Sequence, residues 1–359
     1  MHMRANARLA GISLLAIAAW VTKGGAQAFS PPSFARPTWT AAEPFTLVSS
    51  VRELSNGSVL VADVSEPTVH LLAPGGQSAR QIGRKGSGPR EYLTPWRMIA
   101  LPDDSTLLID RDADRYLLIA PNGDIAATTP FPESMKLASQ YIRGADRAGG
   151  LYFQMRYIPA APAGPTTTPV LRWDRRTLRY DSVAVIRMPN ATPIGGKLPD
   201  GSKYAGMMIM PHAPADAWLV GPDGRIAMVR AAPYRVEWHT LGRPTVIGPT
   251  LSYVPVRVTE ADRKAREPKG PPFTLTYPET KPAFTRDAVV LDDRSRLWIG
   301  RSLPSGATMR EWDVIDDQGK PLGIIRVPAD KRIVAVTARF VYVLWKDEDD
   351  VEWLQAYAR

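Results

Sequence analysis

The residues able to do chemistry are few, and most stand apart from one another. Beyond the N-terminal segment the histidines are His70, His212 and His239. None stands in an H-E-x-x-H or other paired spacing, so no zinc site is expected. His70 and His239 fall on or beside apolar runs and read as packing or surface residues. His212, in a long connecting segment, is kept as an acid/base candidate because imidazole titrates near neutral pH. No G-x-S-x-G elbow is present, so the common serine hydrolase arrangement has no support. The Gly-rich run Gly83–Gly88 lacks the Lys-Ser/Thr ending of a phosphate-binding loop and reads as a tight turn. The acidic run Asp347–Asp350 offers oxygen ligands of the kind Ca²⁺ takes, against the alternative of a solvated turn. The expectation is therefore no metal and no cofactor, with Ca²⁺ unsupported. What remains is a scattered set of charged residues, Arg97, Asp110, Arg143, Arg230 and Arg301, whose significance depends on how the chain places them.

A repeat places them. The segment from Leu54, "LSNGSVLVADVSEPTVHLLAPGG", aligns with "LPDDSTLLIDRDADRYLLIAPNG" from Leu101 at an offset of 47 residues. Asn56-Gly57 falls on Asp103-Asp104, Asp63 on Asp110, and Gly76 on Gly123. Turn residues and apolar runs keep one register, as in one structural unit used twice. Each unit reads as four short strands joined by tight turns such as Asn-Gly, whose residues tolerate positive φ. Four antiparallel strands in such a length make a propeller blade. The pattern continues through "VLRWDRRTLRYDSVAVI" from Val170, "WLVGPDGRIAMVRAAPYRVEW" from Trp218, "VVLDDRSRLWIGR" from Val289 and a last run from Ile333. Arg230 falls on Arg301 at an offset of 71 residues, the excess lying in an insertion after Ile247. Six blades are predicted, all-β, within residues 29–359.

The last blade runs out after three strands, and an open sheet edge invites aggregation. A strand between Arg36 and Val48 is expected to pair with it around Trp353–Tyr357 and close the ring. Short turns fall on one side of the blades. The long segments, including Gly83–Trp96, Ile158–Pro169, Pro189–Asp216 and Gly248–Thr285, fall on the other, called here the upper face. Variable loops on a rigid scaffold are where function concentrates. "VTEADRKARE" is the one plausible helix, with Thr259 and Asp262 spaced for a cap. The strand tryptophans Trp173, Trp218, Trp238, Trp298, Trp312, Trp345 and Trp353 read as packing between blades.

Register then puts one residue per blade at the upper end of the second strand: Asp63, Asp110, Met155, Arg230, Arg301 and Trp345. Arg97 and Arg143 lie near the upper starts of first strands. A charged ring at a channel mouth would suit an anionic ligand, because Arg presents a planar fork of donors to carboxylate or phosphate. The candidate binding residues are therefore Arg97, Asp110, Arg143, Arg230, Arg301 and Trp345. The plainer alternative has Asp63 and Asp110 organising turns and the arginines pairing locally.

The link "IGRKGSGPREYLTPWRMIALPDDSTLLIDRDADRYLLIAPNGD" resembles bacterial six-bladed propeller proteins related to the NHL-repeat family. Gly83, Gly86, Gly88, Pro89, Glu91, Tyr92 and Pro95 fill most of a G-x-G-x-G-P-x-E-[FY]-x-x-P pattern. Asp110 and Arg115 fill the D-x-x-x-x-R that follows. The resemblance is specific over roughly residues 54–130 and implies a propeller and export. It does not imply one activity, since relatives include binding scaffolds, lyases and hydrolases.

Arg4 and Arg8, an apolar run Leu9–Val21, and Ala26-Gln27-Ala28 read as a secretory signal over residues 1–28. An uncleaved anchor is the alternative. Cleavage would lower the formal charge from +9 to +6 by removing Arg4, Arg8 and Lys23. Basic residues are dispersed, so nucleic-acid binding is not expected. The chain has no cysteine, so an exported form must close its ring by packing and hydrogen bonds alone. The function expected from these features is non-catalytic binding or scaffolding in the periplasm or outside the cell, with a protein or small anionic ligand as partner. The competing readings are a metal-dependent propeller enzyme of lactonase, hydrolase or lyase type, and a peripheral subunit of a membrane complex. The mixed Asp, Met, Arg and Trp ring argues against the metal site that such an enzyme needs.

Overall fold

Short apolar runs such as Val59-Leu60-Val61-Ala62 are long enough for a strand and too short for a helix, and burial on both faces requires sheets stacked face to face. The computed structural model shows that arrangement. It describes residues 29–136, 138, 141–155, 167–189, 191–197, 201–266 and 275–359. Pro31–Arg359 forms one unit. The expected signal at 1–28 lies outside the described residues.

The chain is a six-bladed β-propeller of four-stranded antiparallel blades. Blade 1 holds Val48–Glu53, Val59–Asp63, Thr68–Leu72 and Ala79–Gln81. Blade 2 holds Pro95–Ala100, Thr106–Asp110, Arg115–Ile119 and Ile125–Pro130. Blade 3 holds Ile142–Ala145, Leu151–Gln154, Thr167–Asp174 and Arg179–Arg187. Blade 4 holds Ala217–Val220, Ile226–Ala231, Tyr234–His239 and Val246–Ile247. Blade 5 holds Phe284–Leu291, Leu297–Arg301, Met309–Ile315 and Pro321–Pro328. Blade 6 holds Lys331–Val336, Phe340–Lys346 and Glu352–Ala358, and its fourth strand is Trp39–Thr40 from the other end of the chain.

That closure follows the expectation. Trp39 pairs with Ala356 and Thr40 with Gln355, while Phe45 bridges Glu352. The Trp39 ring packs edge-on to Tyr342 at 5.8 Å, and the Glu352 carboxylate accepts from the Val48 amide at 2.6 Å. Backbone ladder, aromatic packing and one buried carboxylate thus join the two ends without a disulfide.

The hydrophobic core is divided among the seams between blades. Leu60, Ala62 and Tyr92 pack with Leu108 and Leu117 between blades 1 and 2. Trp238 and Val236 pack with Leu297 and Ile299 between blades 4 and 5. Trp173, Trp218, Trp238, Trp298 and Trp312 are buried in this way, whereas Trp345 is only partly covered. The short turns are tight as read: Gly57 sits at φ +88°, and the Asn56 side chain accepts from the Ser58 amide.

Two of the long upper segments carry a hairpin or a helix. The first, expected as a loop, contains a hairpin of Ala191–Lys197 and Lys203–Ile209. The second contains the short helix Glu260–Lys264, with Thr259 and Asp262 forming the expected capping box.

Candidate functional site

The Gly-rich link and the Asp110/Arg115 pair turn out to be one structural device. The Asp110 carboxylate, fully buried, accepts from the amides of Leu93 and Thr94 and from Arg115 at 2.9 Å. The Arg115 guanidinium then donates to the carbonyls of Gly86, Ser87 and Glu91. A Cβ at Gly86 would collide with the Glu91 carboxylate, which takes the Gly88 amide at 2.7 Å. Each polar group has a partner inside the protein, and Asp110 belongs to this link rather than to a ligand site. Asp63 does the equivalent work in blade 1, accepting four amides from Thr46, Leu47, Ser65 and Glu66.

Arg230 and Arg301 are likewise held locally. Arg230 lies between Asp216 at 2.8 Å and Glu237 at 2.7 Å. Burial alone would raise the Glu237 carboxyl, but Arg230 and Arg235 outweigh it and hold Glu237 at about 2. Arg301 pairs with Asp313 at 2.7 Å and Glu311 at 3.0 Å, and Tyr234 donates to the same Asp313 at 2.7 Å. The residues share a register position, yet neither lines the central channel. Arg301 borders an outer groove with Tyr253 and Pro255 instead. Trp345 pairs across strands with Lys331 and Trp353 and is also absent from the channel wall. His212 borders no part of the channel. Burial and then Lys281 lower its pKa, and its ring lies 6.5 Å from that of Tyr277.

The acidic run is a turn. The Asp347 carboxylate accepts from the Asp349 amide and from the Trp353 indole at 2.7 Å, and Asp350 pairs with Lys346.

Arg97 and Arg143 stand elsewhere. They line a cavity of about 580 Å³ in the centre of the ring, to which the first strands of all six blades contribute. The wall there is irregular. Bulges interrupt the first strands of blades 2 and 3 between Pro95 and Arg97 and between Ile142 and Gly144. In blade 5, regular pairing lapses between Phe284 and Val289. A bulge re-aims side chains that regular alternation would send into the seams. It presents Arg97, Arg143, Arg286 and Asp287 to one space, together with Trp96 and Trp218. Arg332 and Glu352 complete the charged lining but satisfy one another at 3.1 Å.

Arg97, Arg143 and Arg286 have no such partner. Among the described residues no ion pair or side-chain hydrogen bond reaches any of the three, and the Arg97 Nε is buried without an acceptor. Burial lowers the pKa of all three, with Asp287 offsetting part of it. Arg143 is brought to about 10 by burial and then by repulsion from Arg97 and Arg286. Three guanidinium groups thus meet around one carboxylate, with donors facing open space.

A divalent cation fits this lining poorly. No group of three or more His, Asp or Glu residues placed to hold a metal occurs among the described residues, and the arginines outnumber the available carboxylate. The lining carries more positive than negative charge.

Arg286, Asp287 and Arg332 were not among the residues singled out from the sequence. The signal was present: "WRM", "IRG", "TRD" and "KRI" put an arginine at nearly the same point of four first strands. Starting blade 5 at Val289 hid it, because the bulged stretch does not alternate like a strand.

No protein-family model matches the chain, and no curated protein does. Solved structures do. A member of the duf4221 family from Bacteroides vulgatus is similar over 90% of this chain and 97% of its own, with 10% identity and a TM-score of 0.52. A catalytically inactive virginiamycin B lyase from Staphylococcus aureus, solved with quinupristin, is similar over 88% and 97%, with 12% identity and a TM-score of 0.46. A luciferin-regenerating enzyme is similar over 89% and 93%, with 12% identity and a TM-score of 0.43. The class shown is the six-bladed β-propeller, and nothing ties the chain to the NHL-repeat family in particular. The preference for a non-catalytic reading over an enzyme is corrected. Lyases and a luciferin-regenerating enzyme stand among the solved structures to which the chain is similar.

Proposed function

We propose that the chain is a propeller enzyme of lyase or hydrolase type acting on a small anionic substrate in its central channel. One observation carries the reading: Arg97, Arg143 and Arg286 meet around Asp287 with no partner of their own among the described residues. Clustered, perturbed titratable groups in a cleft are a mark of functional sites. Elsewhere in this fold, partly buried arginines such as Arg115, Arg172 and Arg230 are paired with a carboxylate.

The chemistry assigns itself by charge. The arginines hold a carboxylate or phosphate and stabilise negative charge that develops beside it. Asp287 is the carboxylate free to take a proton from carbon or from an attacking water. In the elimination case the C–H pair becomes the new double bond, and the leaving group departs with the electrons of its own bond. The test is turnover of a pool of small carboxylates and phosphate esters, followed by mass spectrometry. Asp287→Asn should abolish the product while leaving binding in place. Equal product formation by both proteins would remove Asp287 from the reaction.

We also propose export, supported by the segment Arg4–Ala28. N-terminal sequencing of the secreted chain should begin at Phe29; a retained Met1 would favour an anchored form.

A further inference from the structure

We propose that the ligand of the central cavity is a compact dianion, a small dicarboxylate or phosphate monoester. The inference rests on the channel being the substrate site and adds the charge of what enters it.

The charge is set by what the wall leaves unmatched. Glu352 is occupied by Arg332 and by the Val48 amide, so that pair contributes no net charge. On the cavity wall Arg97, Arg143 and Arg286 then face Asp287, an excess of two positive charges, while Asp216, which also acts on Arg286, is neutralised by Arg230. A monoanion would leave one partly buried guanidinium without a counter-charge, which is unfavourable. A dianion matches the excess. The direction of the donors agrees. Arg97 and Arg143 come from neighbouring blades 2 and 3, and Arg286 comes from blade 5, opposite blade 2 in a ring of six. Donors therefore approach from two sides, as suits two carboxylates at the ends of a short body or one phosphate at the centre. Arginine's fork binds either group through paired N–H donors.

The rest of the lining limits size and adds a polar preference. The cavity is about 580 Å³, with Trp96, Trp218, Val289 and Val334 on its wall, so a short carbon body meets apolar surface. Asp287 has no hydrogen-bond donor among the described residues, which leaves it to accept from a hydroxyl or ammonium on the ligand.

Calorimetric titration of the full chain at low salt and pH 8 tests this, with acetate, succinate and glycerol phosphate as probes. Tryptophan fluorescence gives a second readout because Trp96 and Trp218 border the cavity. Succinate or glycerol phosphate should bind at least about tenfold more tightly than acetate, one charge-assisted contact being worth roughly that much. Arg143→Leu should erase most of the difference, and Arg286→Leu provides the same test should the first variant fail to fold. Preference between the two dianions distinguishes dicarboxylate from phosphate ester. Acetate binding as tightly as both would overturn the dianion while leaving an anionic substrate site. No binding of any probe would overturn both readings.

Discussion

Arg143 of blade 3 and Arg286 of blade 5 repel one another in a single cavity, and that repulsion adds to burial in holding Arg143 at about 10. A folded chain gains nothing from such a pair. Several partly buried arginines elsewhere are neutralised, as Arg359 is against Asp292 at 2.5 Å, although Arg310 is not. In the channel three such unpaired groups gather, and the cost is borne by the closed ring around it. Local destabilisation maintained by the surrounding structure is what a site awaiting a charged ligand looks like.

Arg143→Leu should therefore weaken anion binding without weakening the fold. Replacing a desolvated, repelled charge by an apolar side chain of similar reach is expected to be neutral or to stabilise by about 1–2 kcal/mol. Thermal unfolding without ligand measures it. A marked fall in melting temperature would show that Arg143 holds the blades together. The pH dependence follows the same logic. The folded-state pKa lies below that of a free guanidinium, so the unfolded chain keeps this proton to higher pH and the group's contribution to stability rises above pH 10. Anion affinity should fall over the same range.

Arg230→Ala should behave in the opposite way. Its guanidinium neutralises Asp216 and Glu237, which are 2% and 6% exposed. Removing one member of such a buried set leaves uncompensated charge and costs on the order of 3 kcal/mol. Channel binding should be unchanged, since Arg230 does not border that cavity. Intact stability together with lost binding would return Arg230 to the ligand site.

The contrast between these two arginines shows where sequence reasoning reached its limit. Blade number, strand register and the closing strand were legible because a period-two pattern and Gly-rich turns recur along the chain. Asp63 and Asp110 were legible as a repeat position, and their partners explain the repetition: each holds the backbone entering its own blade. Arg97 and Arg143 were placed near the channel correctly from the strand direction. Arg230 and Arg301 were aligned correctly with each other, but shared register does not decide whether a side chain turns to the centre or to the next strand. Glu237 and Asp313, both on third strands, decide that, and neither alters the repeat. Arg286 and Asp287 were hidden for the opposite reason, because the bulged wall that exposes them breaks the pattern by which strands are recognised.

The closing strand supports a third prediction. Deleting residues 29–45 would remove the Trp39–Thr40 pairing, the Phe45 bridge to Glu352 and the packing of Trp39 on Tyr342. It would leave Glu352–Ala358 as an unprotected edge. The loss should be several kcal/mol from a total of about 5–15 kcal/mol, with aggregation on heating. Unchanged thermal unfolding would mean that the seam between blades 6 and 1 does not depend on the N-terminal strand.

Acid should loosen the upper end of blade 4 through one identifiable group. Burial would raise Glu237, but Arg230 and Arg235 hold it at about 2, whereas in the unfolded chain it titrates near the ordinary value of about 4.3. A carboxylate depressed on folding contributes stability that is complete above its unfolded pKa. That stability is lost as pH falls toward the folded value. The window is therefore from about pH 4.3 down to about 2, with a slope of at most about 1.4 kcal/mol per pH unit for one proton. His239 lies 3.2 Å from the same carboxylate, and burial lowers its pKa. Glu237→Gln should lower stability at neutral pH by breaking the pairs with Arg230 and Arg235. It should also flatten the acid limb, because the amide has no proton to take up. Asp262, held at about 2 despite burial by Lys281 and the Thr259 cap, titrates in the same window and remains in both proteins. The difference between the two stability profiles then isolates Glu237. Denaturant unfolding at half-unit pH steps measures that difference, and parallel curves for wild type and variant below pH 4 would show that Glu237 is not held down by its arginines.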